Sequence, residues 1–312
     1  MYTILGANGA IANEISKVLS QNNISFTLVS RHPKPVNGAS TKAADLTNAT
    51  QTNEAVKGSS IVVLCAGLQY DLRVWEKQWP AIMSNTIDAC KKNNSKLIFF
   101  DNVYMLGKVS GPMTETTPYN PVSKKGEVRA KIATQLMDEV KKGNIKAMIS
   151  RAADFYGPDC KTSALNSLVF DKMAKGKRAQ WMGDDQAVHS FTFTPDCGKA
   201  IWLLSQKEDA WNQVWHMPTA APALTGKELI SIAAQIFSAP EKHSNIGKGM
   251  IGLAGIFVRL MYELKEMFYQ YDADYIFDSS KFNNAFNFKP TGYKEGFEIT
   301  ATSYRRNESK SN

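Results

Sequence analysis

Residues 6–12 read GANGAIA and stand between an apolar run, Tyr2–Leu5, and a helical pattern that begins at Ile11. Within them Gly6, Gly9 and Ala12 recur at the spacing G-x-x-G-x-x-A. A chain that passes from strand to helix through such a stretch has few alternatives. Gly6 permits the tight turn, Gly9 lets a diphosphate approach the N–H groups of the helix start, and Ala12 is small enough for helix and strand to pack closely. The cradle residues Gly6, Asn8, Gly9, Ala10 and Ile11 are therefore expected to bind the phosphates of a dinucleotide. Glycine spacing alone is a weak signal. Its place after the first strand and before a helix gives it weight.

The pattern downstream extends the same fold. Apolar runs Ser25–Val29, Ile61–Cys65, Leu97–Phe100 and Ala147–Ser150, with a weaker one near Lys42–Ala44, alternate with helical stretches such as Ile11–Ser20, Val74–Asn93 and Lys125–Lys142. Runs that are apolar on every residue belong to strands covered on both faces, and their alternation with helices predicts a parallel sheet. The fold class is α/β, a Rossmann doubly wound parallel sheet, whose ligands sit beyond the carboxyl ends of the strands.

After Arg151 the pattern loosens. Trp181 and Met182 read as part of a strand, Phe191 and Phe193 alternate in another, and a helix capped by Asp196 follows. Thr225 leads a further helix. The expected organisation is a dinucleotide-binding domain over 1–157, with 189–217 returning to it. A smaller C-terminal α/β domain takes 158–188 and 218–303, and 304–312 form a disordered tail. The Met- and aromatic-rich segment Ile246–Tyr271 reads as an amphipathic stripe packed into the smaller domain's core.

The end of the second strand speaks to which dinucleotide is held. An acidic residue there would bind the adenosine ribose hydroxyls; this chain has Ser30 and Arg31, with His32 and Lys34 behind. An arginine at this place pairs with a 2′-phosphate in bidentate fashion, so NADP is expected, with NAD as the alternative. Asp45 and Leu46 follow the third strand, where a carboxylate accepts the adenine amino group. Ala66 and Gly67 end the fourth, where small residues let backbone pass close to the ribose.

Taken in order, GANGAIA, ADL, CAG, FFDNVYMLG, TETTPYNP, SRAADFYGP and FTFTPDCGKAI resemble the extended short-chain dehydrogenase/reductase superfamily, its nucleotide-sugar epimerase/dehydratase-like group. The resemblance covers nearly the whole chain. It implies a Rossmann domain for the cofactor and a smaller domain closing over a substrate. It also implies a Ser or Thr after the fifth strand and a Tyr-x-x-x-Lys pair on the next helix. In that family the tyrosine exchanges a proton with the reacting oxygen, the lysine lowers its pKa and holds the ribose, and the hydroxyl orients the substrate.

This sequence departs at each of those places. Matching Phe100 and Gly107 puts Asn102 at the Ser/Thr position. Matching Glu115, Pro118 and Pro121 puts Lys125-Gly126 where Tyr-Gly belongs and Arg129 where the lysine belongs. A second register, matching Ser123-Lys124, sets Asn120 at the tyrosine position; the first fits Gly126 and the prolines without a gap. The candidates for chemistry are then Tyr104, Asn102, Lys125 and Arg129. Tyr104 stands as the remaining proton donor beside cationic Lys125, Asn102 as a partner for a substrate carbonyl, and Arg129 as a donor to ribose or diphosphate. Gln69, Tyr70 and Trp75 are further candidates, as are Asp154, Phe155 and Tyr156, with Trp181 and His189 on the substrate side.

The reading is an NADP(H)-binding oxidoreductase or epimerase-like enzyme acting on a small polar or sugar-like substrate. The missing pair leaves a second one, a non-catalytic nucleotide-binding sensor or assembly protein. The 312 residues carry a net charge of +8, which favours phosphate-bearing ligands or anionic surfaces. Lys and Arg are scattered, so no nucleic-acid partner is expected. Met250–Leu264 is broken by Arg259 and too short to span a bilayer, so no membrane partner is expected. A membrane-surface role through Ile246–Tyr271 is a distant third reading, because its apolar positions are better used to cover the smaller domain. Residues 1–5 already read as strand, leaving no room for a signal peptide. The four cysteines lie far apart with no metal-ligand spacing, which fits reduced thiols and no metal. A cytoplasmic monomer or homodimer is expected.

Overall fold

The computed structural model describes residues 1–311, with side chains through Arg306. The chain opens with β1 (Tyr2–Leu5), buried on all four residues, and turns into α1 (Ala10–Gln21). Then come β2 (Phe26–Ser30), β3 (Ser40–Ala43), α2 (Ala49–Val56), β4 (Ile61–Leu64), α3 (Leu72–Lys92), β5 (Lys96–Asp101), α4 (Lys124–Lys141) and β6 (Ala147–Arg151). The next stretch holds β7 (Asp154–Tyr156), α5 (Asp171–Ala174), β8 (Ala179–Met182), β9 (Val188–His189) and β10 (Phe191–Phe193). After α6 (Thr194–Gln206) and β11 (Val214–His216) follow β12 (Leu224–Thr225), α7 (Gly226–Phe237), β13 (His243–Ile246), α8 (Lys248–Ala254), α9 (Arg259–Lys265), α10 (Ser280–Phe286) and α11 (Tyr293–Ser311).

Seven strands form one sheet in the order β11-β6-β5-β4-β1-β2-β3, and each neighbouring pair runs parallel. This is the doubly wound sheet that the apolar runs predict. The strand order reverses between β1 and β4, and an open α/β sheet binds ligands beyond the carboxyl ends at such a point. The helices start where short polar side chains accept free N–H groups: Asn48 for α2, Asp71 for α3 and Ser123 for α4.

The chain divides into two units. The first comprises 1–107, 118–152 and 197–217; the second comprises 108–117, 153–196 and 218–312. The boundaries thus differ from those expected at 157 and 189. The physical reason is β7, which finds its ladder partner in β10 and not in the main sheet, so 153–157 and 189–196 belong to the second unit. Asp196 does not cap α6. The helix begins at Thr194, and the Asp196 carboxylate accepts from the Thr291 N–H at 2.8 Å and its hydroxyl at 3.1 Å. Thr225 does lead α7, in a reciprocal capping box with Glu228.

Two further expectations meet a different structure. Residues 304–311 continue α11 as helix, with the Tyr304 ring edge-on to Phe237 and Arg305 donating to the Ile236 carbonyl. Asn312, the rest of the expected tail, lies outside the described residues. The Ile246–Tyr271 stripe is core only in part: Ile251, Met267, Phe268 and Tyr271 are buried, whereas Leu253, Ile256 and Phe257 are exposed. An amphipathic pattern specifies a face, and here only one side of the segment finds protein to pack against. Among the described residues no helix is long and apolar enough to cross a membrane. None of the four cysteines is in a disulfide, and burial pushes the Cys90 thiol up to about 12.

Candidate functional site

The first unit's glycine turn is built around two tight approaches. Gly6 has φ +123°, and a Cβ on it would lie 2.6 Å from the Ala66 backbone, so only glycine fits where β1 and β4 run side by side. Gly9 stands at the N-cap of α1, and its added Cβ would come 3.3 Å from the Gly6 carbonyl. Neither a side-chain cap nor an acidic residue occupies the first turn of α1. The first N–H groups of a helix have no intrahelical acceptor, and its dipole favours an anion there. Ala12 is fully buried under the turn. At Gly67 an added Cβ would meet nothing within 4 Å.

Asn8 holds this turn to the end of β2. Its backbone is left-handed, with φ 72°. Its side-chain N–H donates to the His32 carbonyl at 2.8 Å, and its Oδ1 accepts from the Lys34 N–H at 3.0 Å. The loop that carries Arg31, His32 and Lys34 is thereby clipped to the cradle. The Ser30 hydroxyl, one residue before Arg31, is shielded from solvent and has no hydrogen-bond partner among the described residues. The Arg31 guanidinium is exposed at the end of β2, within a loop held to the glycine turn. These residues fit the phosphate-bearing half of a nicotinamide dinucleotide.

Asp45 is partly committed elsewhere. Its Oδ1 accepts from the Thr47 N–H at 2.9 Å and the Thr47 hydroxyl at 2.8 Å. The Thr47 N–H is the main cause of its lowered pKa, and Arg31 adds a smaller electrostatic pull. Leu46 is buried, and its carbonyl accepts from Asn85.

Beyond β5 the expected residues of the chemistry surround one short helical turn, Tyr104–Leu106. Asn102 Oδ1 accepts from the Tyr104 N–H at 3.1 Å and so holds the start of this turn. The half-buried Tyr104 ring lies nearly parallel to Trp75, with centroids 6.2 Å apart. Ser123 caps α4, and an added Cβ on Gly126 would lie 2.5 Å from the Tyr104 carbonyl, which explains a glycine there. Lys125 is fully buried, its ammonium 4.8 Å from the centre of the Tyr70 ring. Arg129, one turn on, donates from Nε to Asp101 Oδ1 at 2.7 Å and again from its terminal nitrogen. Its guanidinium stacks over Trp79 at 4.4 Å. Arg129 is thus bound into a buried ion pair, and sequence reasoning had no sight of Asp101.

A second buried arginine was missed as well. Arg151, at the end of β6 and in register with Asp101 on β5, is wholly buried. One of its terminal nitrogens donates to the Tyr119 hydroxyl, while Nε and the other have no partner among the described residues. Burial raises the Tyr119 pKa, and Arg151 pulls against it. Two strand-end charges on adjacent strands are the only signal that sequence could have offered.

The second unit gathers its own expected residues. His189 is buried between the Tyr271 and Tyr275 rings, at 5.0 and 4.3 Å, with Trp181 edge-on at 6.4 Å. Its Nε2 lies 3.1 Å from Asp154 Oδ2, which also accepts from the Tyr271 hydroxyl at 2.7 Å. Tyr156 does not join them: it is enclosed by Phe170, Phe193 and Phe297. Burial pushes its hydroxyl pKa well up. Among the described residues no three His, Cys, Asp or Glu side chains cluster as a metal site.

The pattern of the NAD dependent epimerase/dehydratase family matches residues 2–216. The chain belongs to this family. Of curated relatives of this epimerase/dehydratase chain, a dTDP-glucose 4,6-dehydratase from Mycolicibacterium smegmatis is 24% identical over 170 residues. That match takes in 51% of each protein, so the chain spans about half the length of the relative it matches. Among solved structures, the UDP-glucose 4-epimerase of Thermotoga maritima with UDP-glucose superposes with a TM-score of 0.82 at 16% identity, over 98% of this chain and 99% of that one. The dTDP-glucose 4,6-dehydratase of Streptomyces venezuelae, solved with NAD bound, gives 0.80 at 15% identity, over 99% and 98%. At such identities the likeness is one of fold.

Proposed function

We propose that this epimerase/dehydratase-family chain binds NADP(H) and works as an oxidoreductase or epimerase-like enzyme on a small polar or sugar-like substrate. The observation that supports the cofactor reading is the exposed Arg31 at the end of β2, in a loop clipped to the glycine cradle by Asn8. Gly6, Gly9, Ala10 and Ile11 would hold the diphosphate, Arg31 the 2′-phosphate, Asp45 and Leu46 the adenine edge, and Ala66 and Gly67 would leave room for the ribose. The nicotinamide, when bound, exchanges a hydride with a substrate carbon.

The chain's own part is to bind, orient and move a proton without a Tyr-x-x-x-Lys pair. Tyr104 is the proposed donor to the reacting oxygen. Asn102 orients the carbonyl through its amide N–H groups, since its Oδ1 is engaged with Tyr104. Lys125 supplies positive charge. Arg129 supports them by fixing Asp101 and the Trp75–Trp79 wall. That same commitment favours a second reading, a non-catalytic dinucleotide sensor. Titration should give tighter binding of NADPH than NADH, which tests the cofactor. Turnover separates the two readings: a carbonyl substrate should consume bound NADPH if the protein is a reductase, and a nucleotide sugar should be converted with no net loss of cofactor if it is epimerase-like. Binding without turnover on any substrate supports the sensor; absence of dinucleotide binding removes both readings.

A further inference from the structure

Ten large apolar side chains are exposed among the described residues, and seven of them fall between Met250 and Tyr262. They belong to α8, α9 and the link between them. Phe257 is 84% exposed, Ile256 72% and Leu253 65%. The base of the segment is anchored, with Ile251, Phe268, Tyr271 and Met182 in one buried cluster of the second unit. Its outer side meets no protein. A contiguous exposed apolar patch of this kind marks a surface that is covered in use.

The charges around the patch indicate what covers it. From Lys248 to Lys265 the one acidic residue is Glu263, which is buried and paired with Arg259. With Arg259 engaged by Glu263, the exposed charges left on the segment are the cations Lys248 and Lys265, and Glu266, at the end of α9, is half-buried. A second copy docked face to face would bring the same cations together without an exposed carboxylate to meet them. Helices of seven residues are about 10 Å long, a third of what a bilayer core demands. Short apolar helices rimmed by Lys and Arg suit the headgroup boundary of an anionic membrane, where the rings sit among acyl chains and the cations meet lipid phosphates.

We propose that the α8–α9 segment attaches the protein to anionic lipid surfaces by inserting Ile256, Phe257 and Val258 into the interface. This attachment is independent of the reaction. It is tested by floating the full chain with vesicles of phosphatidylcholine, with and without phosphatidylglycerol. Wild type should float with the anionic vesicles and be released by high salt. Phe257→Asp should weaken the association by about tenfold or more. Lys248→Gln and Lys265→Gln should each weaken it about fivefold on anionic vesicles and leave phosphatidylcholine unaffected. Because these side chains are exposed, melting temperature and NADPH affinity should stay at wild-type values. Wild type that remains at the bottom of the gradient, or Phe257→Asp that floats like wild type, overturns the proposal. So does a dimer in sedimentation that Phe257→Asp disperses, since a second copy would then cover the patch.

Discussion

Where the second strand ends, a carboxylate would hold both hydroxyls of an adenosine ribose and repel a phosphate on either. On the proposed reading, Arg31 reverses that preference. Replacing Arg31 with Asp removes one charge-assisted pair, about 1.5–3 kcal/mol, or roughly one to two decades of NADP affinity. NAD, which has no 2′-phosphate, should bind Arg31→Asp as well as or better than wild type; calorimetry giving equal losses for both would remove Arg31 from the phosphate. Asn8 makes a separate point. Asn8→Gly keeps the left-handed backbone but loses both bonds to residues 32 and 34. Two exposed hydrogen bonds of this kind amount to about 1 kcal/mol each at most. The variant should narrow the ratio of NADP to NAD affinity several-fold while NAD itself changes little. The cradle glycines were legible in sequence because each meets a local demand of strand, turn and helix. The Asn8 clip was not, since its partners lie 24 and 26 residues away.

At the scale of elements, legibility followed what each strand packs against. β1, β4, β5 and β6 are covered on both faces and announce themselves as unbroken apolar runs. β3 has four exposed residues at the sheet's edge and gave only a weak signal. β13 (HSNI) gave none, because its one ladder partner is β8. The tie between β5 and α4 was equally hidden. Asp101 on β5 and Arg129 on α4 form a buried ion pair between residues that are 2% and 4% exposed. Removing one member of such a pair strands the other charge, at a cost of about 3–5 kcal/mol, whereas removing both together is often far milder. Asp101→Asn and Arg129→Met should each lower denaturant stability by that order. The double variant should recover much of it, a coupling that a double-mutant cycle reads directly. Additive losses would mean that the two side chains contribute separately. If Arg129 also served the reaction, the double variant would be stable but impaired in turnover beyond what its dinucleotide affinity explains.

Across the whole molecule, the sequence's order of motifs and the seven-stranded sheet agree on a dinucleotide fold, while the proposed function places Asn102, Lys125 and Arg129 where the family's usual proton chemistry would run. A fold of this kind hosts binding and catalysis alike, so function turns on the site. The proton donor is the open element, and Tyr104 is the proposed one. Positioned general acids typically contribute about 10²–10⁴-fold in rate. With a substrate in hand, Tyr104→Phe should lower kcat by that order and leave NADPH affinity near wild type, since the ring still stacks on Trp75 and loses only its hydroxyl. Lys125→Met separates two roles for the buried ammonium. If the lysine favours proton transfer at Tyr104, the variant lowers kcat and shifts the pH profile. If it holds an anionic part of the substrate, KM rises and kcat is kept. A fully active Tyr104→Phe protein would strike the tyrosine from the mechanism and turn attention to Lys125 itself as the donor. The double substitution Tyr104→Phe, Lys125→Met would then decide it: wild-type turnover in that protein would leave neither side chain a part in the proton transfer.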